Sequence, residues 1–337
     1  MIEQVQELLS NQKDAALEGL EINTWGTKPD FEALTYVLNT CFKADGINHF
    51  GTAEEIANYY LNLPDFSPEE DGFMAVLDGK LIGWLSLQPR NEAKGDMIYR
   101  LHENVLPEWR DRGISQALLD LGEQRAVQRA SQLPNGRSGQ LELGLSETQP
   151  RAIERAEARG YKPTRYFFFM VRSLDEPIPD HPLPKGFHQR PITEDDYRPI
   201  WETHHRAFEE HWGHPEITEN HFRMFMDNPL TDPKLWQVAW YGEEVAGMVL
   251  NFLDVEENKA FDRKRGYTED IAVAKPYRNQ GIAKALIAKS MRMFKEMGMQ
   301  ETALAVDTEN PSGALRLYQN LGYETERKST AYRKPLD

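Results

Sequence analysis

A weak internal repeat is the feature that most limits how this chain of 337 residues can fold. The two copies are VLPEWRDRGISQALL, residues 105–119, and VAKPYRNQGIAKALI, residues 273–287. Each copy reads as a strand end, a proline, an aromatic residue, Arg-x-x-Gly-Ile and then a helix. A β-hairpin pattern precedes each copy and a Gly-Tyr pair follows it. Because these features recur in one order, we predict two copies of one mixed α/β unit.

A proline-rich segment separates the copies. Residues 175–186, DEPIPDHPLPKG, carry four prolines, which neither a helix interior nor a central strand accepts. We therefore predict an N-terminal domain over 1–174 with an additional helix near Ile2–Leu20, a linker over 175–185, and a C-terminal domain over 186–337. The predicted fold class is α/β, with a mixed, mostly antiparallel sheet flanked by helices.

The composition argues against several classes of function. Lysine and arginine total 39 against 54 acidic residues, and a net charge of −15 is unsuited to binding the phosphate backbone of a nucleic acid. The single cysteine, Cys41, excludes an intramolecular disulfide and a multi-cysteine metal site. The densest apolar run, Tyr166–Val171, is far shorter than the ~20 residues that span a bilayer, and the first residues lack a signal-peptide pattern. We expect a cytoplasmic protein that binds neither nucleic acid nor a membrane.

The second copy contains a candidate phosphate-binding loop. Residues 268–274 predict a strand, and an amphipathic helix begins at Ile282. A strand that enters a helix through a short glycine-bearing turn leaves unpaired N–H groups at the helix N-terminus, where the helix dipole also favours anions. On this loop alone, a plain strand–helix connection with Gly281 as its turn residue remains an alternative.

The residues that follow favour the phosphate-binding alternative. A strand pattern over Thr302–Val306 precedes Asn310, which we predict to be the N-cap of a short helix with Pro311 at its first position. This helix carries Tyr318 and ends at Gly322.

This order of elements resembles the GNAT superfamily of acyl-CoA-dependent N-acetyltransferases, in a tandem two-domain arrangement. The phosphate-loop motif of that family, (Arg/Gln)-x-x-Gly-x-(Gly/Ala), matches residues 278–283. Its later element, an asparagine, a tyrosine and a closing Leu-Gly-(Phe/Tyr), matches residues 310–323. The resemblance covers the second half well and the first half in part.

The resemblance implies that acetyl-CoA is the co-substrate and that no metal is needed. Main-chain groups of a strand would bind the pantetheine arm, loop amides would bind the pyrophosphate, and Asn310 would reach the pantetheine arm, although a role as helix cap alone stays open. The residues so implied are Ile271, Ala272, Val273, Arg278, Asn279, Gln280, Gly281, Ile282, Ala283, Lys284 and Asn310.

Two residues are implied as catalytic. Tyr318 matches the general acid of the family, which protonates the departing thiolate; its alternative is a core tyrosine. Glu269 lies two residues before Ile271 and, by strand alternation, on the same face, so it is the candidate base that deprotonates an ammonium acceptor, directly or through water. A solvated strand residue or a substrate-binding anion is the alternative. Asp270 should point the other way.

The first half departs from the family pattern. At the end of its loop, serine stands where the family motif has glycine or alanine. Alignment of the Gly-Tyr pairs places Ala156 opposite Tyr318, so the general acid is missing. We predict a degenerate domain that supports the C-terminal one. A second CoA site there remains possible, with the residues Arg110, Arg112, Gly113 and Ser115.

The stretch 204–222 holds five of the nine histidines. Its spacing lacks a convincing set of metal ligands, so pocket lining or solvated helix faces are the better interpretations. His211, Trp212 and His214 are the candidates for binding the acceptor.

The sequence predicts an N-acetyltransferase that moves an acetyl group from acetyl-CoA to a primary amine of a small molecule or peptide, by direct attack in a ternary complex. Two alternatives stay open: an acyl-CoA-binding regulatory or scaffold protein without transfer activity, and a tandem enzyme that resembles mycothiol synthase.

Overall fold

The computed structural model describes residues 1–10, 14–93, 95–133, 139–310 and 312–336. Spatial contacts divide the chain into two compact units. The N-terminal unit comprises Met1–Thr164, Thr218–Pro229 and Thr330–Asp337, and the C-terminal unit comprises Arg165–Ile217 and Leu230–Ser329. Because these units are interleaved along the chain, the boundaries drawn from the linker, 1–174 and 186–337, stay a prediction. Residues 175–185 lie outside any helix or strand.

The N-terminal unit is a sheet flanked by helices. Its strands, in their order across the sheet, are β1 (Leu20–Thr24), β2 (Gly72–Leu77), β3 (Lys80–Asn91), β4 (Met97–Val105) and β5 (Gly139–Ser146). β1 to β4 pair antiparallel, and β4 pairs parallel with β5. Its helices include α1 (Ile2–Ser10), α2 (Phe31–Ala44), α3 (Ala53–Asn62), α4 (Pro68–Asp71), α5 (Ile114–Ala130) and α6 (Pro150–Ala158).

The C-terminal unit has the same kinds of element. Its strands are β6 (Lys162–Ser173), β7 (Gln237–Tyr241), β8 (Glu244–Val249), β9 (Arg265–Tyr267), β10 (Ala272–Val273), β11 (Glu301–Asp307) and β12 (Glu324–Pro335). Two of these strands extend beyond the unit: β6 belongs to it from Arg165 onward, and β12 belongs to it up to Ser329. Its helices are α7 (Glu194–Phe208), α9 (Val255–Ala260), α10 (Ile282–Glu296) and α11 (Ala314–Asn320), whereas α8 (Glu219–Met226) belongs to the N-terminal unit.

Two sheets form the frame of the C-terminal unit. One has the order β12-β6-β11-β9, in which β11 is antiparallel to β6 and parallel to β9. The other is antiparallel, with the order β10-β8-β7. The predicted fold class, mixed and mostly antiparallel with flanking helices, is therefore confirmed, as are the hairpins β2–β3 and β7–β8.

The two copies of the repeat share detailed hydrogen bonds. Nε of Arg110 donates to the carbonyl of Val105 at 3.0 Å, and Nε of Arg278 donates to the carbonyl of Val273 at 3.2 Å. In both loops an arginine thus holds the strand end that precedes it. The glycines that precede α5 and α10 share a left-handed backbone, with φ 82° at Gly113 and 91° at Gly281.

The predicted N-terminal helix over Ile2–Leu20 is too long, because α1 ends at Ser10. Asp14 caps a separate 3-10 turn by accepting a hydrogen bond from the N–H of Ala16, and Gly19, at φ 84°, turns the chain into β1. Among the described residues, no helix is both long and apolar enough to cross a membrane.

Each unit has its own hydrophobic core. In the C-terminal unit, the apolar side of α10 packs against β7, β8 and β11. Ile282, Leu286, Ile287 and Phe294 are almost fully buried there, as the 3.6-residue periodicity predicts. This packing fixes the position of the first turn of α10, on which the candidate site depends.

Candidate active site

The parallel pair of β9 and β11 opens into a gap. The ladder pairs Arg265–Tyr267 with Glu301–Ala303, and its last bond runs from the N–H of Thr268 to the carbonyl of Ala303 at 2.8 Å. Beyond that point the chain enters β10, which pairs with β8 instead. β10 and β11 therefore diverge, and one edge of β10 is left open. The N–H of Ala274 donates to Ala246 on β8, so by alternation the N–H of Val273 faces the open edge.

The predicted continuous strand over residues 268–274 is wrong, because the chain is interrupted between β9 and β10. Asp270 adopts a left-handed backbone at φ 47°, a conformation that aspartate tolerates better than most residues. The interruption breaks the period-two alternation. As a result both Glu269 and Asp270 line the same cavity, whereas alternation predicts opposite faces.

This cavity, which we call the C-terminal cavity, has a volume of about 870 Å³ and lies wholly within the C-terminal unit. It begins at the gap and extends to the first turn of α10, to α11 and to the segment after α7. All site residues predicted in this half line it apart from Gln280, whose side chain donates to the carbonyl of Pro276. They are Glu269, Ile271, Ala272, Val273, Arg278, Asn279, Gly281, Ile282, Ala283, Lys284, Asn310, Tyr318, His211, Trp212 and His214.

The first turn of α10 presents free amide donors to the cavity. Among the residues that the structure describes, no side chain caps the helix at Gly281, and the N–H groups of Ile282, Ala283 and Lys284 have no acceptor within the helix. A Cβ at Gly281 would have no neighbour within 4 Å, so the ligand side of the loop is open. Together with the exposed Lys284, these donors fit the pyrophosphate of a coenzyme A thioester.

The side chain of Arg278 holds the loop in place. Its guanidinium donates to the carbonyls of Val273, at 3.2 Å, and Ala207, at 3.0 Å, and pairs with Glu210 at 3.0 Å. Its own N–H donates to the carbonyl of Lys275 at 3.4 Å. Arg278 thus links β10, the end of α7 and the loop, while the amides after it remain available for a ligand.

Glu269 bridges the two diverging strands. Its half-buried carboxylate accepts a hydrogen bond from the N–H of Ala305 on β11 at 2.9 Å, a donor that the divergence leaves without a strand partner. Burial, together with the negative charge of Asp270, raises the pKa of Glu269 to about 8. A carboxylate of this kind exchanges protons near neutral pH, as a general base must.

Tyr318 lies on α11 with only 6% of its surface exposed. In the described part of the chain its hydroxyl has no hydrogen-bond partner, and the residue lines the C-terminal cavity. Burial, with a further contribution from the charge of Glu269, raises the pKa of Tyr318 above its ordinary value. The phenol therefore keeps its proton at neutral pH and is available as a donor.

Asn310 is not the N-cap of the helix that carries Tyr318. α11 begins at Ala314 and is preceded by Gly313, whose φ of 71° sets the turn into the helix. Asn310 instead accepts hydrogen bonds from the N–H and hydroxyl of Ser312, at 2.9 and 2.7 Å. The predicted first helical position, Pro311, lies outside the described residues.

The three acceptor candidates follow α7. The ring of Trp212 lies 6.0 Å from that of Phe167, and the ring of His211 lies 4.1 Å from that of Phe208. Burial lowers the pKa of His211, so its imidazole is neutral at pH 7. With His214 these side chains form an aromatic and imidazole wall of the cavity. Among the described residues no three His, Cys, Asp or Glu side chains are arranged to hold a metal ion.

Sequence reasoning missed a pair in this cavity. Nε2 of His204, on α7, lies 3.1 Å from Oδ1 of Asp270. Burial acts to raise the pKa of Asp270, but the neighbouring His204 and then His205 outweigh it and hold this pKa below its usual range. The signal was weak, since only the tolerance of aspartate for a left-handed backbone hints at the interruption that turns Asp270 inward.

The N-terminal loop is occupied by internal ion pairs. The guanidinium of Arg110 pairs with Asp45 at 2.5 and 3.2 Å, and Arg112 pairs with Asp14 at 2.8 Å. Ser115 is buried, and Gly113 precedes α5 in the same conformation as its counterpart in the C-terminal unit. The CoA site suggested for these residues stays a prediction.

Equivalent backbone hydrogen bonds support the alignment in which the N-terminal unit lacks the general acid. The N–H of Tyr161 donates to the carbonyl of Ala156 at 3.1 Å, and the N–H of Tyr323 donates to that of Tyr318 at 3.0 Å. The two tyrosines that end the repeats thus bond to equivalent positions. The N-terminal unit has a buried alanine where the C-terminal unit has Tyr318.

A protein-family model matches both copies of the repeat. The model described as the acetyltransferase (GNAT) family matches residues 32–161 and 197–323.

Curated relatives and solved structures agree with this match. Mycothiol acetyltransferase of Catenulispora acidiphila is 26% identical over 258 residues, which cover 75% of this chain and 77% of the relative. N-alpha-acetyltransferase 30 of Xenopus laevis is 34% identical over 111 residues, 33% of this chain and 38% of the relative. A GCN5-related N-acetyltransferase from Sphaerobacter thermophilus superposes with a TM-score of 0.70 at 23% identity, over 94% of this chain and 96% of that one. A tandem GNAT protein from the clavulanic acid biosynthesis pathway superposes with a TM-score of 0.67 at 15% identity, over 94% and 98%.

Proposed function

The chain belongs to the acetyltransferase (GNAT) family of acyl-CoA-dependent acyltransferases, and from this we propose that its C-terminal unit moves an acetyl group from acetyl-CoA to a primary amine. The amine attacks the thioester directly while both substrates are bound. The observation that supports this most is one cavity that unites free amides at α10, the open edge of β10, Glu269 and Tyr318.

The binding side of the proposal depends on backbone groups. The amides at the start of α10 bind the pyrophosphate, and the open edge of β10, including the N–H of Val273, pairs with the pantetheine arm and polarises the thioester carbonyl. Asn310 lies on the same wall of the cavity. Acetyl-CoA supplies the activated acyl group, and the backbone groups of the protein bind and orient it.

Glu269 acts as the base in this scheme. The acceptor enters as an ammonium ion, and Glu269 takes a proton from its nitrogen, directly or through one water, so that the lone pair can attack the carbonyl carbon. A carboxylate with a pKa near 8 retains such a proton far better than an ordinary glutamate with a pKa near 4.5.

Tyr318 completes the transfer as the acid. A C–N bond forms, the C–S bond breaks, and the phenol gives its proton to the sulfur that leaves. The attacking nitrogen, now positively charged, gives up its second proton, directly or through water, to the phenolate, which restores Tyr318. Burial raises the pKa of Tyr318, and burial raises that of a departing thiolate for the same reason, so the two groups remain matched in acidity within the cavity.

Release of free thiol tests this proposal. We expect the protein, mixed with acetyl-CoA and a panel of alkylamines, amino sugars and peptide α-amines, to release coenzyme A thiol with at least one amine. The protein contributes little background, because its one cysteine, Cys41, is buried and burial raises the pKa of its thiol to about 12. Saturable binding of acetyl-CoA without thiol release from any amine would instead favour an acyl-CoA-binding regulatory or scaffold protein.

A more specific candidate is favoured by the relatives whose match extends over most of the chain. Mycothiol acetyltransferase of Geodermatophilus obscurus is 24% identical over 90% of this chain, and so matches both units. A mycothiol-type acceptor is therefore the first amine to include in the panel. Activity confined to simple peptide amines would exclude it.

A further inference from the structure

In the C-terminal cavity, the carboxylates outnumber their lysine and arginine partners. Four carboxylates line it, and two of these already have basic partners: Asp307 pairs with Arg165 at 2.8 Å, and Glu210 pairs with Arg278 at 3.0 Å. In the described part of the chain, Glu269 and Asp270 have no lysine or arginine partner.

These two carboxylates differ in what they can do. Glu269 is fixed to the N–H of Ala305 and holds a proton easily, as a base requires. Asp270 stays ionised, because His204 contacts its Oδ1 at 3.1 Å, and 44% of its side chain is exposed. The carboxylate of Asp270 is therefore negatively charged at neutral pH and accessible to a ligand in the cavity.

The surroundings of Asp270 also suit a cation. The ring of His204 lies 4.4 Å from that of Phe208, and the ring of Phe208 lies 4.1 Å from that of His211. The faces of aromatic rings attract cations, but they do not stabilise a carboxylate. The exposed basic side chain on the cavity wall, Lys284, lies at the start of α10, on the side assigned to the pyrophosphate.

We propose that Asp270, positioned by His204, selects the acceptor: it binds the ammonium group of an amine that carries no carboxylate or phosphate near that group. This inference rests on the proposed acetyl transfer and names the class of its acceptor. The ammonium is held by Asp270 next to Glu269, which then removes its proton. An acceptor with an adjacent anionic group is excluded, because that group would face Asp270 without a basic partner.

Three amines of similar chain length test the proposal: n-butylamine, putrescine and γ-aminobutyrate, each with saturating acetyl-CoA. We expect kcat/KM for the first two to exceed that for γ-aminobutyrate by about 10-fold or more, since the carboxylate of γ-aminobutyrate would lose its hydration near Asp270 without a lysine or arginine partner. Asp270→Asn should raise KM for n-butylamine and putrescine by about 10-fold and change kcat far less. The ratio of their kcat/KM to that of γ-aminobutyrate should therefore become smaller.

A matched control is available. Asp262 also has a left-handed backbone, at φ 48°, but it is exposed and does not line the cavity. Asp262→Asn should leave all three KM values unchanged. His204→Gln, which keeps a polar N–H group near Asp270, should retain most of the preference for n-butylamine and putrescine that His204→Ala loses.

If only an amine of the wider panel is active, the same comparison is made between that amine and its analogue with a carboxylate next to the amino group. If γ-aminobutyrate is preferred, or if Asp270→Asn affects the three amines equally or no more than Asp262→Asn does, acceptor selection by Asp270 is overturned while acetyl transfer stands. If acetyl-CoA binds and no amine in this set or in the wider panel releases thiol, the transfer proposal itself fails, and the acceptor class fails with it.

Discussion

Glu269 and Asp270 are neighbours in the chain, but their carboxyl groups have opposite pKa shifts. Burial and the charge of Asp270 raise the pKa of Glu269 to about 8, whereas His204 holds that of Asp270 below its usual range. Paired carboxylates with divergent pKa values are typical of sites that separate a proton-exchanging role from a charge-holding role. At the scale of single residues, this divergence agrees with the separate roles proposed for Glu269 and Asp270.

The pH dependence of activity follows from Glu269. The base must be deprotonated, so kcat/KM should rise with pH and level off above about 8. Glu269→Gln should lower kcat/KM by roughly 10²–10⁴-fold and remove this rise, as measured by thiol release between pH 6 and 10. Glu296→Gln, at an exposed position of α10, is the matched control. An unchanged pH profile in Glu269→Gln would exclude Glu269 as the base.

The same residue predicts a pH dependence of stability. Because its folded pKa, about 8, exceeds its ordinary value of 4.5, the folded state binds more protons between these two pH values. The free energy of unfolding should therefore fall as pH rises from 4.5 to 8. Glu269→Gln should remove that decline, so its Tm relative to the wild type should be higher at pH 9 than at pH 4. An equal Tm difference at both pH values would contradict the raised pKa.

Single residues also show what the sequence could and could not predict. Gly281, Glu269 and Tyr318 were predicted to line one site, because the loop motif and the spacing of the later tyrosine are local patterns. Asp270 and His204 were missed as site residues. Strand alternation assumes an unbroken strand, and no local pattern reports that one aspartate will adopt a left-handed backbone.

At the scale of elements, the position of α10 depends on close packing beneath its last turn. A Cβ at Gly266, on β9, would lie 2.4 Å from the ring of Phe294 on α10, closer than any real contact. β9 and α10 therefore approach each other only because position 266 is a glycine. This approach fixes the helix next to the point where β9 and β11 separate.

Gly266→Ala tests that packing. We expect a loss of roughly 1–3 kcal/mol in the free energy of unfolding from overpacking, measured by denaturant titration, together with weaker binding of acetyl-CoA as α10 is displaced. Gly51→Ala, where the new Cβ would have its nearest neighbour at 3.5 Å, is the control and should change stability little. Equal stability of the two variants would show that the β9–α10 contact is not tight.

Helices and strands with a strong hydrophobic periodicity can be predicted from the sequence, whereas the interruptions of such elements cannot. The apolar face of α10 and the hairpin β7–β8 follow directly from residue patterns. The break between β9 and β10 depends on a single turn residue, Asp270, within an otherwise regular pattern. The start of α11 at Ala314 depends in the same way on Gly313.

At the scale of the whole molecule, the two copies of the repeat differ most where an acyl-CoA would enter. In the N-terminal unit the β4–β5 ladder continues to Leu101 and Leu143. Aligning Val105 with Val273 places Leu101 at the position of Glu269, two residues beyond the end of the β9–β11 ladder.

A polar pair also occupies the N-terminal gap. Glu103 and Arg155 form an ion pair at 3.2 Å. Their counterparts in the repeat are Ile271 and Leu317, which line the C-terminal cavity. The same fold thus has an open gap in one unit and a gap spanned by its own side chains in the other. This difference supports the view that the N-terminal unit is a degenerate copy.

The expected stoichiometry follows from this difference. Isothermal titration with acetyl-CoA should give one site per chain, located in the C-terminal unit. Arg155→Leu, which removes the ion pair, leaves this number at one, because the longer β4–β5 ladder remains. Two sites of similar affinity in the wild type would contradict the account of the N-terminal unit and favour binding at Arg110, Arg112, Gly113 and Ser115.

The central claim is that the C-terminal unit transfers an acetyl group with Tyr318 as its acid. The most direct measurement is the rate of thiol release by Tyr318→Phe with saturating acetyl-CoA and the best amine, beside acetyl-CoA affinity and the exposed control Tyr241→Phe. We predict that Tyr318→Phe loses roughly 10²–10⁴-fold in kcat and keeps the wild-type affinity, while Tyr241→Phe matches the wild type in both. Wild-type kcat in Tyr318→Phe would contradict the claim.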